Sequence, residues 1–129
     1  MAGWEDVSRI ALALPETSER QRRDMRQWWV REKMFVWERP LRRGEVEELG
    51  DQAPDGPILG ARVEHVWAKE VLIADDPRVF FTTSHFEGYP AVLVCLDHIS
   101  AGDLEEVVTE AWLVRAPKRV AKAFLEEKG

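Results

Sequence analysis

The chain has 129 residues, a formal charge of −6, and is 33% charged and 45% hydrophobic. That balance excludes a disordered or fibrous chain and suits one globular domain spanning residues 1–129. Its single cysteine, Cys95, excludes an intrachain disulfide, so the fold makes no demand for an oxidising compartment. No apolar run approaches the roughly 20 residues that span a bilayer. The opening MAGWEDVSRIALALPE lacks the basic start and long apolar centre of a secretion signal. A cytoplasmic protein with no membrane partner, acting as a monomer, is expected.

The charge is unevenly spread. Residues 17–45 carry +4 and 111–129 carry +3, whereas 46–78 carry −5 and 79–110 carry −6. Two basic segments that meet in space would form a patch for a polyanion. A solvated surface of mixed sign is the alternative.

Residues 4–14 read as a helix, with Trp4, Val7, Ile10, Ala11 and Leu14 on one stripe and Glu5 and Asp6 at the positive end of its dipole. Pro15 stops it. Residues 17–24 are polar and basic and read as a loop. Met25–Val30 and residues 34–38 read as strands joined through Arg31, Glu32 and Lys33. Strict alternation would put Phe35 and Trp37 on one face, Met34 and Val36 on the other, and the neighbours Trp28 and Trp29 on opposite faces. A short helix over 41–49 would end at Gly50, and DQAPDGP over 51–57 is a turn-rich loop. Residues 58–64 form a further strand broken by Gly60. A helix over 66–74 would turn Val66, Ile73 and either Ala68 or Val71 inward.

The centre of the chain is RVFFTTSHFEGYPAVLVCLD. Runs at 79–83 and 91–96 flank a turn-prone segment with Gly88 and Pro90, the pattern of two antiparallel strands. Val92, Val94 and Leu96 would line the core, while Leu93 and a free, chemically idle Cys95 would share the less covered face. Ser100 is an N-cap with Asp103 three residues on. Ala101–Arg115 follows as a helix that buries Leu104, Val107, Val108, Ala111 and Trp112. Pro117 suits the first turn of a last helix over 118–127, with Val120, Ala121, Phe124 and Leu125 on its apolar side.

The stretches WEDVSRIALALPE, KMFVWERPLRRG, DDPRVFFTTSHFEGYPAVLVCLD and EAWLVRAPKR together resemble the MmcQ/YjbR family, from about Trp4 to Arg119. The combination of FFTTSHFEGYP, AVLV and W-x-x-x-A-P-K-R is the most specific part. The resemblance implies an α+β fold: a mainly antiparallel sheet of about five strands with helices on one face, similar to the frataxin-like CyaY proteins and described as a double wing. Members are commonly described as DNA-binding or left uncharacterised, and the resemblance brings no catalytic residues with it. Members often carry Trp at the position of Ala91 and Arg at that of Cys95, which implies that this strand face is not fully buried.

Chemistry is sparse. His65, His85, His98 and Cys95 are the soft metal-ligand candidates, and the expected strand geometry keeps them apart. Acidic residues between 46 and 76 lack ordered ligand spacing. Neither a nucleophile motif nor a phosphate-binding glycine loop occurs. The expectation is therefore no metal, no cofactor and no enzymatic activity. Nucleic acid is the favoured partner, double-stranded DNA in the first place, bound weakly and without sequence preference. The candidate contacts are Arg20, Arg22, Arg23, Arg26, Arg31, Lys33, Arg42 and Arg43 with Lys118 and Arg119, flanked by Arg39 and Lys122. Trp28, Trp29 and Trp37 are interleaved with the first group. Glu19, Asp24, Glu32, Glu38 and Glu45 weaken the field among them. A non-catalytic domain that binds a protein or a small ligand is the alternative.

Overall fold

The computed structural model describes residues 2–128. The elements run α1 (Trp4–Leu12), β1 (Thr17–Arg22), β2 (Met25–Val30), β3 (Lys33–Glu38), α2 (Arg43–Leu49), β4 (Ile58–Arg62), α3 (Val66–Asp75), β5 (Phe80–Phe81), β6 (Ala91–Cys95), α4 (Ala101–Arg115) and α5 (Lys118–Lys128). One sheet in the order β1-β2-β3-β4-β6-β5 holds all six strands, and every neighbouring pair is antiparallel. The α+β class and the antiparallel sheet match the expectation. The sixth strand is the addition.

That strand is β1, which the composition of residues 17–24 had pointed to as a loop. TSERQR has no apolar alternation to announce it, because it is an edge strand with no buried face of its own. It pairs along its whole length with β2, from Thr17↔Val30 to Arg22↔Met25. Arg23 and Asp24, both in the left-handed conformation (φ 53° and 63°), make the two-residue turn. The β2–β3 turn uses Arg31 in the same conformation (φ 51°).

The ladder between β2 and β3 slips once. Trp28 opposes Val36 but Trp29 opposes Met34, which leaves Phe35 as an extra residue. The bulge overrides strict alternation. Phe35 and Val36 both enter the main core, and Trp37 turns to the opposite face. Trp28 and Trp29 do face opposite ways. Trp28 is fully buried and stacks on Trp4 at 6.2 Å. Its indole N–H donates to Glu19 at 2.8 Å, so burial leaves no orphan donor. Removing an indole from water is worth about 4–6 kcal/mol at most.

Helices α1 and α4 cover this core face. The α4 stripe Leu104, Val107, Val108, Ala111 and Trp112 is buried as its spacing predicts. Ser100 caps the helix by accepting the Asp103 N–H at 3.1 Å. In α5, Val120, Ala121 and Phe124 pack against the core, but Leu125 points away and is exposed. Within α3, Ala68, Leu72 and Ile73 pack on the core and Val71 is exposed.

The other face carries a second, smaller cluster: Ile58, Phe86, Ala91 and Leu93, with Trp37, Leu41 and Phe81 against it. Val92, Val94 and Leu96 line the main core and Leu93 lies opposite, as alternation requires. The face of Leu93 is nonetheless closed. Ala91, Leu93 and Cys95 are all at most 2% exposed, and Phe86, Trp37, Leu41 and Phe81 pack with Ala91 and Leu93 on that face. A face left open at Ala91 and Cys95 is thus overturned. Cys95 is a free thiol whose pKa burial raises, which disfavours the reactive thiolate.

Strand β4 runs unbroken through Gly60. There the Trp37 indole lies so close that a Cβ would overlap it. Gly60→Ala should therefore cost about 1–3 kcal/mol of stability through overpacking. Gly44→Ala, in helix α2 with open space around the added methyl, should instead stabilise by about 0.5–1 kcal/mol. Urea unfolding of both variants tests the pair. Equal effects of one sign would contradict the packing described.

Candidate functional site

The second cluster roofs only the β4–β6–β5 half of its face. Over β1, β2 and β3 the face stays partly open and forms a groove. At one end the groove encloses about 790 Å³ between Trp29, Met34, Trp37, Arg39, Arg42, Arg62, Phe86, Tyr89 and Arg115. A further hollow of about 500 Å³ continues it past Gln27 and Met25 to Arg22 and Arg23. Trp37, Arg39 and Arg42 line both. Strand β2 spans the length of this path, about 17 Å for six residues.

The walls combine rings and cations. Trp29 is half-buried beneath the Arg20 guanidinium, which sits 4.2 Å from its ring centre. The guanidinium of Arg39 lies 5.1 Å from the Phe86 ring, and that of Arg62 lies 5.1 Å from the Tyr89 ring. Such stacking covers one face of each ring; the charge of Arg39 is answered by Glu45, and that of Arg20 faces Glu32 at 3.9 Å.

The roof is held by buried charge. Glu45, 5% exposed, accepts from Arg39 Nη2 at 2.9 Å, from the Thr83 hydroxyl at 2.7 Å and from the Arg42 N–H at 2.9 Å. Burial pushes its pKa up, but these three hydrogen bonds outweigh it and hold the carboxyl below 4.5. Glu48 adds two bonds to Ser84. From the other side Lys69, 3% exposed, donates to the carbonyls of Phe86 at 2.7 Å and Tyr89 at 2.8 Å. Burial lowers its pKa, and Glu70 and Glu87 partly restore it.

The structure sorts the basic residues singled out in the sequence. Arg22, Arg23 and Arg42 line the groove, and Arg20 lies over Trp29 beside it. Arg26 pairs with Gln21, one position out of step with Arg20 and Arg22, so it sits on the opposite sheet face. Arg31 is bound to Glu16 in the β2–β3 turn, and Arg119 stands close enough to help lower the pKa of Glu16. Lys33 is exposed at the start of β3. Arg43 pairs with Glu47 along α2. Lys118 lines a separate hollow with Lys122, Glu64, Glu110 and Glu126. The residues selected from the two basic segments thus meet around Glu16, through Arg31 and Arg119, and away from the groove. The groove instead gains Arg62 and Arg115, which the sequence reading did not select. Arg62 is a single arginine in a mostly apolar strand and Arg115 closes the helical stripe of α4, and only the sheet pairing together with the packing of α4 brings them together. Of the soft-ligand candidates, His85 rests on Phe86 at the groove, His65 rests on Trp67, and His98 Nδ1 lies 3.5 Å from Arg78.

The fold and groove define a small α+β domain with a half-open antiparallel sheet. The YjbR family model matches residues 12–114. The chain belongs to the YjbR family. It is 51% identical, over the full length of both chains, to uncharacterised proteins of Mycobacterium bovis and Mycobacterium tuberculosis. The crystal structure of protein DR2400 of Deinococcus radiodurans, a DUF419 domain, has the same fold at a TM-score of 0.67. It is 20% identical, covering 98% of this chain and 88% of that one. Among the described residues no helix is long and apolar enough to cross a membrane.

Glu45 has a defined pH signature. Its folded pKa lies below its unfolded value, so its stabilising contribution is complete above about pH 4.5 and is lost as pH falls through the folded pKa. Glu45→Gln should cost on the order of 2–3 kcal/mol at pH 7, because Arg39 loses its buried counter-charge. The gap between variant and wild type should shrink at pH 3.5. Urea titrations at both values check this, and a gap that ignores pH would contradict the network.

Proposed function

We propose that this protein is a non-catalytic nucleic-acid-binding module that holds a strand along the groove on the open sheet face, weakly and without sequence preference. The observation that carries the reading is the pairing of partly exposed indoles, Trp29 and Trp37, with Arg20, Arg22, Arg23 and Arg42 on one concave surface. Bases of any identity stack on aromatic rings, and phosphates need only placed cations.

The same geometry favours an unpaired strand over the duplex. A duplex presents its phosphates on a convex surface and hides its ring faces. A single strand can lay one base on Trp37 and another on the Arg20 guanidinium that caps Trp29, while its backbone follows the remaining arginines. No helix among the described residues presents a row of base-reading side chains to this face, so the contact is to backbone and stacked rings.

The test is a titration of fluorescently labelled single-stranded and duplex oligonucleotides at about 50 mM salt, where non-specific binders are detected. With roughly four phosphate contacts the affinity for the single strand should fall with a log–log slope of about −3 in salt. Trp29→Ala should weaken binding roughly tenfold for all sequences by removing the ring beneath one stacking platform. Replacing Arg22, Arg23 and Arg42 together by Ala should flatten the salt slope. No binding at high-micromolar protein, or binding indifferent to salt and to these substitutions, would remove the proposal.

A further inference from the structure

One end of the groove holds two guanidiniums without a carboxylate. Arg62 leaves β4 on the open face and Arg115 ends α4. Both are half-buried. Elsewhere Arg39 takes Glu45, Arg31 takes Glu16 and Arg43 takes Glu47, while Arg22, Arg23 and Arg42, which form no ion pair among the described residues either, are exposed to water. Arg62 and Arg115 form no ion pair among the described residues, although Glu32 and Glu87 line the same groove. Nη1 of Arg62 donates to the Tyr89 hydroxyl at 3.0 Å, a neutral partner that leaves the charge unanswered. The Nε of each arginine is closed off from solvent and has no acceptor.

Two like charges sharing a partly desolvated pocket repel each other. Burial first, and the charge of Arg62 second, lower the pKa of Arg115. A doubly charged anion reverses that balance. It also supplies oxygens to accept from the two Nη groups of a guanidinium together, the forked contact that arginine makes best.

We propose that Arg62 and Arg115 seat a phosphate monoester, borne either by a mononucleotide or by the terminal phosphate of a bound strand. The strand form rests on the nucleic-acid reading above, and the mononucleotide form does not. A monoester carries a charge of about −1.5 to −2 and three acceptor oxygens, which suits two forks better than a single carboxylate. Trp37 and Tyr89 line the same space and offer ring faces to the attached base.

The test uses the full chain with inorganic phosphate, a pair of adenine probes and a pair of oligonucleotides. Inorganic phosphate should raise the unfolding temperature above that in chloride at equal ionic strength. Adenosine monophosphate should quench tryptophan fluorescence at concentrations about tenfold or more below those that adenosine needs. A 5′-phosphorylated oligonucleotide should bind about tenfold tighter than its 5′-hydroxyl form. Arg115→Gln should erase each difference, and without phosphate it should unfold at an equal or higher temperature because a repulsion is gone. Arg115→Lys, which keeps the charge and loses the fork, should recover only part of the discrimination. The wild-type comparisons need no variant, so a misfolded Arg115→Gln does not blunt the test. Discrimination that survives Arg115→Gln, or its absence in the wild type, overturns the inference. An oligonucleotide bound through Trp29 with no preference for the phosphate overturns this inference alone. Phosphate discrimination between the adenine probes without any oligonucleotide binding supports it and overturns the strand reading. Silence from every probe overturns both.

Discussion

Glu45 is a carboxylate almost closed off from water, and its three donors come from two distant parts of the chain. Arg39 follows β3, Arg42 precedes α2, and Thr83 follows β5. Ionised and fully paired, it ties the connection between β3 and β4 to the segment between β5 and β6. Each donor that left would strand a buried charge, so the segments are held jointly rather than one by one. Lys69 does the same for the far side of the roof through two backbone carbonyls. The small cluster of Ile58, Phe86, Ala91 and Leu93 then has a cover, and the sheet has a closed half and an open half. The groove is the boundary between them. Its far wall, from Arg39 to Tyr89, exists because these polar contacts fix the roof.

The near wall depends on one extra residue. Without the bulge at Phe35, Trp37 would follow Phe35 into the main core and the open face would keep only Trp29. With it, both Phe35 and Val36 are buried and Trp37 lies across Gly60 on the groove side. The absent side chain at Gly60 and the bulge thus serve one end: a flat ring held on the sheet surface, beside the arginines of β1 and α2.

Strong local patterns carried much of the fold. The α4 stripe from Leu104 to Trp112 repeats at a single helical period within a helix of 15 residues, and Ser100 marks its start. Adjacent tryptophans on a strand must diverge, so Trp28 and Trp29 were legible without coordinates. The edge strand β1 was not, since its order comes from pairing with β2 and from Glu19 reaching the Trp28 indole, not from any pattern of its own. Cys95 was misread because alternation gives the face of a residue and says nothing of what folds over that face. The groove was half legible. Arg22, Arg23 and Arg42 come from one basic segment, whereas Arg62 and Arg115 meet only through the β3–β4–β6 pairing and the packing of α4. The Lys118–Lys122 turn, equally basic on paper, lies among Glu64, Glu110 and Glu126 instead.

The two rims of the sheet are finished differently. Strand β1 presents Glu19, Arg20 and Arg22, a charged border that a second strand of this chain would meet at the cost of desolvation. Strand β5 is two residues long, with α3 packed at that end. Neither rim offers the long, flat, apolar ladder on which sheets add strands and polymerise. A protein with so much β-structure can therefore leave half of one sheet face uncovered and still be guarded against growing into fibrils, because the route to aggregation that runs through strand edges is blocked at both ends.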